Sequence, residues 1–398
     1  MLVVFLIYTA CVVFYLYKSS SKGAFYLFSP LIVVHLHFVC SNIYPLVVYE
    51  GVLPQNIINV TLISCIVNLL FLIKYRSLWH SKVIMEIPSE VMSKKYSGNR
   101  LRVILLFVFL IFFSGFVTGV TPSLLRGIDV EDMRRSAEVG VGFIREIPSF
   151  GLPILILEYF LLKQNISIKR AIIITLLVAL VFFLATGHRR GVAVYLTLFL
   201  VWYNFRYRKF KWYEYLCIFY LIQPIIAAGL SLIRSGSDWA FDGISLLEHE
   251  KTIFNINTVL LARWIESSNF YMMGYSYFYA LIYFIPRFLW PGKPVSIDYY
   301  YKEVVGLDFE GGGIYTTNDF ELYMNFGYYY IIPYIIYLLI PHYVYGKLCN
   351  HGIAYDLRLF FIVVFSFGWG VSGFIKFCEL YFLFLILFYI LNKKWRYY

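Results

Sequence analysis

Three short stretches of this 398-residue chain gather side chains whose types and spacing suit chemistry. The first, ATGHRRG at 185–191, sets His188, Arg189 and Arg190 in a turn between two apolar blocks. A planar guanidinium matches phosphate oxygens two at a time, so paired arginines there suit a bound anion. Capping of helix ends and contact with lipid phosphates is the plainer reading. The second stretch, IPRFLWPGKP at 285–294, holds Arg287 and Lys293 among prolines that fix the direction of the chain and hence the placement of both charges. A structural corner with a snorkelling arginine is its alternative. Arg263 and Arg234, upstream, are weaker candidates for the same anion site. The third, TTNDFELYMNFG at 316–327, brings Asp319 and Glu321 to a helix start just after Gly311–Gly313. A carboxylate there can take the proton of an attacking hydroxyl. Acids also favour helix amino termini for electrostatic reasons alone.

Inside the apolar blocks, Glu158 and the pair His35/His37 stand out, because ionisable groups are costly in lipid. The histidines are two apart and point to different faces, a poor arrangement for a metal. Lys376 and Glu379, three apart, suit a local ion pair. Six cysteines fall in or beside apolar blocks, without a C-x-x-C pair and without histidine at ligand spacing. Neither a disulfide framework nor a zinc site is expected, and no cofactor is called for.

These residues are positioned by elements that water does not suit. Hydrophobic residues make up 61% of the chain and charged ones 14%, against about a quarter charged in soluble proteins. The apolar residues come in blocks long enough to cross a bilayer. About 20 residues per span predicts an all-α polytopic membrane protein of about 11 transmembrane helices. They lie near 1–17, 25–44, 52–73, 101–120, 149–163, 170–186, 191–205, 214–232, 328–346, 359–375 and 377–392. The chain opens on an apolar block with no basic n-region or small-residue cleavage site, so the first helix is expected to be retained.

Lys18/Lys22, the basic 74–102 segment, Lys163/Lys169/Arg170, the 206–211 cluster, Lys347/Arg358 and Lys393/Lys394/Arg396 then alternate onto one face. Positive-inside counting makes that face cytoplasmic, with the amino terminus outside and the carboxyl terminus cytoplasmic. Most acids fall on the opposite side. Reading 275–290 as another span would invert every later helix, so it is expected to lie in the outer interface, where its Tyr, Phe and Trp belong. The chain reads as a single domain, 1–398, with external loops at about 121–148 and 232–327. The first of these is expected to carry an interfacial helix, since Val130, Met133, Ala137, Val141 and Ile144 recur at helical spacing. The net charge of +11 lies at helix ends, with no module of nucleic-acid-binding composition, so nucleic acid is not an expected partner.

In layout the chain resembles the Wzy-type O-antigen, or oligosaccharide repeat unit, polymerases. TGHRRG is similar to that family's short Gly-x-Arg turn. IPRFLWPGKP resembles its Pro-Arg … Trp-Pro-x-Lys-Pro stretch, and FELYMNFG its Glu-x-Tyr-x-Asn-Phe-Gly approach to the next helix. The double arginine departs from the pattern and leaves open which of Arg189 and Arg190 carries the role. The resemblance implies metal-independent glycosyl transfer on the outer face of the cell (inner) membrane. Undecaprenyl-diphosphate-linked repeat units would be polymerised into O-antigen of lipopolysaccharide or into capsule, with a chain-length regulator protein as a partner. It also implies catalytic roles for Glu321 and Arg287. Substrate contacts would come from Arg189 or Arg190, Lys293 and Asn325, to which the residue pattern itself adds His188 and Arg263. An O-antigen ligase, or a lipid-linked oligosaccharide flippase or transporter, shares enough of this layout to stand as an alternative.

Overall fold

A computed structural model of the chain describes residues 2–20, 29–43, 53–81, 94–126, 142–162, 166–187, 189–208, 210–217, 258–283, 285, 289–294, 297–306, 316–351 and 370–394. Among these, every regular element is helical. In chain order they are α1 (Leu2–Ser20), α2 (Pro30–Phe38, continued by a π-turn, Val39–Ile43), α3 (Gln55–Lys74), α4 (Arg76–His80), α5 (Lys94–Val117), α6 (Val120–Leu125), α7 (Gly142–Leu162) and α8 (Ile168–Thr186). Then come α9 (Arg189–Arg206), α10 (Trp212–Cys217), α11 (258–268), α12 (Tyr275–Leu281), α13 (Ile297–Val305), α14 (Asn318–Phe326), a 3-10 turn (Gly327–Tyr330), α15 (Ile331–His351) and α16 (Gly370–Lys394).

Local chemistry sets several boundaries. Ser29 caps α2 by accepting from Ile32 N, and Pro30 occupies the first turn, where a missing N–H costs nothing. Ser167 caps α8 in the same way through Arg170 N. At the other end of α8, Gly187 takes φ 65° and returns its N–H to Phe183 O at 2.7 Å, stopping the helix two residues before α9 begins.

Two groups of helices result. In one, α5 lies on α7 and α8, while α9 closes against α7 and α8. In the other, α1 and α15 each pack on both α2 and α3, and α14 also rests on α3. Helix α16 joins them, touching α7 and α5 on one side and α12 and α14 on the other. Small residues permit the tightest approaches. A Cβ at Gly115 would run into the backbone of Ala185, and one at Gly151 into the ring of Phe384.

Outward-facing positions are apolar, among them Leu6 and Phe14 on α1, Leu105 and Phe109 on α5, Leu176 and Leu177 on α8, and Phe382 and Ile386 on α16. Water tolerates no such girdle, whereas lipid does. Among the described residues, four helices are long and apolar enough to cross a membrane: Gln55–Lys74, Ile168–Thr186, the continuous helical run Asn318–His351 and Gly370–Ile390. These are the features of a membrane protein.

Several expected boundaries move. Among the described residues of the 275–290 stretch, the helix is the seven-residue α12, which ends in a turn at 282–283 and is too short to cross a bilayer. The turn expected near 376, between spans 359–375 and 377–392, is absent. One helix runs through that position, and the break falls at Gly370, whose φ of 78° stops a helix from extending backwards. Ile144 belongs to the same helix as 149–162, while Val130, Met133, Ala137 and Val141 lie outside the described residues. Of the expected 214–232 span, 218–232 also lies outside them.

Candidate site around the α14 helix

Helix α14 carries the third motif, and it is buried almost completely, from Asp319 to Asn325. Residues two apart on a helix face different directions, while residues four apart share a face. Asp319 therefore turns towards α2 and α3, whereas Glu321 and Asn325 turn together towards α12 and α16.

Glu321 is only 3% exposed, and its two oxygens take separate partners. Oε2 accepts from Val371 N at 2.9 Å and Oε1 from Ser372 N at 3.0 Å. These are the first N–H groups of α16, which have no acceptor within their own helix. The carboxylate thus satisfies two orphan donors at the positive end of the helix dipole, which stabilises its charge in a site with little water. Glycine at 370 is required twice over, by its positive φ and because a Cβ there would collide with Glu321 Oε2.

One turn on, Asn325 is fully buried and binds the loop before α12. Its Oδ1 accepts from Gly274 N at 3.1 Å, and its Nδ2 donates to Ser276 Oγ at 2.8 Å and to Glu321 O at 2.8 Å. The same loop donates Met272 N to Met324 O and Met273 N to Asn325 O, closing carbonyls that the end of α14 leaves open. The loop accepts strained backbone to do so, with φ 54° at Asn269 and 48° at Met273. Tyr277 stacks on Phe326 at 5.7 Å, and its buried hydroxyl lies beside Ser276 on the Glu321 side of the site.

The second motif reaches the same helix. Lys293 is 8% exposed, and its Nζ donates to Tyr283 O at 2.7 Å and Ile285 O at 3.0 Å, tying the end of the Pro-rich segment back onto its start. It also lies 5.3 Å from the Tyr283 ring, and Lys376 on α16 covers that ring at 3.3 Å. The expected Lys376–Glu379 ion pair is not formed. Lys376 is engaged with Tyr283, and the opposite charge acting on Glu379 is Lys293. Lys376 lies four residues beyond Ser372, about 6 Å along the helix axis. Lys293 and Lys376 thus meet at the Tyr283 ring, with Lys376 about one turn along α16 from the N–H groups that hold Glu321.

Other expected participants stand apart. Arg263 is exposed on α11. Arg287, Arg234, Gly311–Gly313, His188 and the side chains of Arg189 and Arg190 lie outside the described residues, while the backbone puts the two arginines in the first turn of α9 rather than in the turn before it. Glu158 is buried within α7. His35 and His37 occupy different surroundings, the former against Tyr8 and the latter against Ser41. Among the described residues no group of three His, Cys, Asp or Glu could hold a metal ion.

Sequence reading missed Val371 and Ser372, 50 and 51 positions from Glu321, together with Ser276, Asn42 and His342. The Gly-Val-Ser-Gly run at 370–373 was the available signal for a helix start there. No family model, no curated protein and no solved structure matches the chain.

Proposed function

We propose that this chain polymerises undecaprenyl-diphosphate-linked oligosaccharide repeat units by glycosyl transfer at the outer face of the cell membrane, with its amino terminus outside and its carboxyl terminus cytoplasmic. The observation that carries this reading is the oriented, nearly buried carboxylate of Glu321, backed by two N–H donors at the start of α16, the helix that also carries Lys376. The motif resemblance supplies the reaction class, and positive-inside counting supplies the sidedness.

In this mechanism an acceptor hydroxyl on one repeat unit gives its proton to Glu321 as its oxygen bonds the anomeric carbon of the chain held on another. The bond from that carbon to undecaprenyl diphosphate breaks, and the electron pair leaves on the diphosphate oxygen. Guanidinium groups stabilise the departing charge. We assign that role to Arg287 and to Arg189 or Arg190, with Arg263 and His188 as peripheral contacts. Lys293, its ammonium already donating to two carbonyls, holds the corner that carries Arg287. Asn325 fixes the loop bordering Glu321.

The test is to incubate the purified full chain with an undecaprenyl-diphosphate-linked repeat unit and resolve the products by length. A ladder is expected, lost in Glu321→Gln and in Arg287→Ala although both proteins remain folded. Transfer of a single block onto a lipid core would identify a ligase. Movement of the lipid-linked unit across vesicles without elongation would identify a transporter. A normal ladder in both variants would overturn the residue assignment.

A further inference from the structure

Asp319 has no part in that mechanism, yet it is 1% exposed and stands at one end of a line of buried polar side chains following α3 and α15. Its Oδ1 accepts from Asn42 Nδ2 at 2.6 Å, and Ser64 lies beside it. Ser64 and Asn68, one turn apart on α3, face Tyr330 and Tyr334. Ser64 Oγ is 3.0 Å from Tyr330 OH, and Asn68 Nδ2 donates to Tyr334 OH at 2.6 Å. Two turns beyond Tyr334, His342 lies edge-on to His35 with ring centroids 5.8 Å apart, and His35 Nδ1 is 2.7 Å from Tyr8 OH. Tyr75, at the end of α3, closes the line against His342 at 4.6 Å, and Cys65 stands beside Tyr8. From Val60, whose carbonyl accepts from Tyr330 OH, to Tyr75 is about 22 Å of helix. The hydrocarbon layer of a bilayer is about 30 Å thick.

Four atoms on this line, Asp319 Oδ2, Asn68 Oδ1, His35 Nε2 and His342 Nε2, are buried and make no direct hydrogen bond of good geometry, although Asn68 stands beside His35, and Ser64 and Thr317 beside Asp319. Each would cost about 1–3 kcal/mol if left so, a heavy burden for one seam of a bundle. Internal water relieves that cost where several polar atoms converge. The proton on His342 can be located. Its Nδ1 meets Leu338 O at 2.7 Å, a carbonyl can only accept, and so Nε2 of the neutral ring holds the lone pair that takes a proton. A divalent cation does not suit the line, since no third ligand joins the histidine pair among the described residues.

We propose that this line is a water-joined proton path through the bundle, separate from the glycosyl-transfer site and independent of that reading. A proton accepted at His342 or His35 passes through water and the hydroxyls of Tyr334, Tyr330 and Ser64 to Asp319. Each member releases one proton as it takes one, so only O–H and N–H bonds exchange and one positive charge moves per proton.

The test uses the full chain in sealed vesicles loaded with a pH-sensitive dye, under a pH gradient and a potassium diffusion potential. Wild-type vesicles are expected to acidify faster than protein-free ones and more slowly in D2O. Asp319→Asn, His342→Gln and Asn68→Leu are expected to fall to the protein-free rate, with size-exclusion profile and melting temperature checked for each. Wild-type vesicles no faster than empty ones would overturn the proposal without any variant. So would wild-type rates in properly folded Asp319→Asn and His342→Gln, or a flux that follows sodium rather than the pH gradient.

Discussion

The two faces of α14 use the same chemistry in opposite ways. Glu321 and Asp319 are two residues apart and almost equally buried, yet Glu321 has a backbone donor on each oxygen, while Asp319 is bonded by the Asn42 side chain and has the hydroxyls of Thr317 and Ser64 beside it. One carboxylate is fastened to the start of a helix. The other ends a line of hydroxyls and imidazoles. The difference teaches that burial alone does not say what an acid is for, because the number of donors around it sets how readily it can exchange a proton.

Breaking the fastened side should have the largest effect. Glu321→Ala leaves two α16 N–H groups buried without an acceptor and is expected to destabilise the protein by about 3–5 kcal/mol, read as the midpoint of thermal unfolding in detergent. Glu321→Gln keeps one carbonyl acceptor and should cost about 1–2 kcal/mol less, so a larger loss in Gln than in Ala would contradict the capping geometry. Gly370→Ala adds a Cβ against Glu321 Oε2 at a left-handed backbone position and should cost about 2–3 kcal/mol by the same measurement. Asn325→Ala removes the clasp on the α12 loop and should cost about 2 kcal/mol, with faster proteolysis near 269–276 as a second readout.

The other side of the comparison should respond least in stability. Asp319→Asn keeps an oxygen for Asn42 and removes a buried charge, so its midpoint should stay within about 1 kcal/mol of wild type. A drop as large as that of Glu321→Ala would show that both acids serve structure alike.

Much of the scaffold was legible in local pattern. The apolar blocks became α1, α2, α3, α5, α8 and α9 within a few residues of expectation, because each turn of a helix depends on neighbours within four positions. Local pattern did less elsewhere: only positive-inside counting argued against 275–290 as a span, and Arg189 and Arg190, expected in the turn, open α9 instead. Glu321 and Asn325 could be picked out from their motif, but not the partners that define them. The break at Gly370 was misplaced because Lys376 and Glu379 are the charged interruption of an otherwise apolar 359–392 stretch, and hydropathy registers charge rather than the glycine that turns the backbone.

The sequence by itself determined that this is a helical chain built for lipid, and it marked α14 as chemically unusual. Only the tertiary structure decided that one acid of α14 caps α16 while its neighbour faces Asn42 and the line leading to His342. Such pairings join residues from 50 to nearly 280 positions apart. Local periodicity has no register for them, since they arise from how whole helices pack and which N–H groups each helix end leaves open.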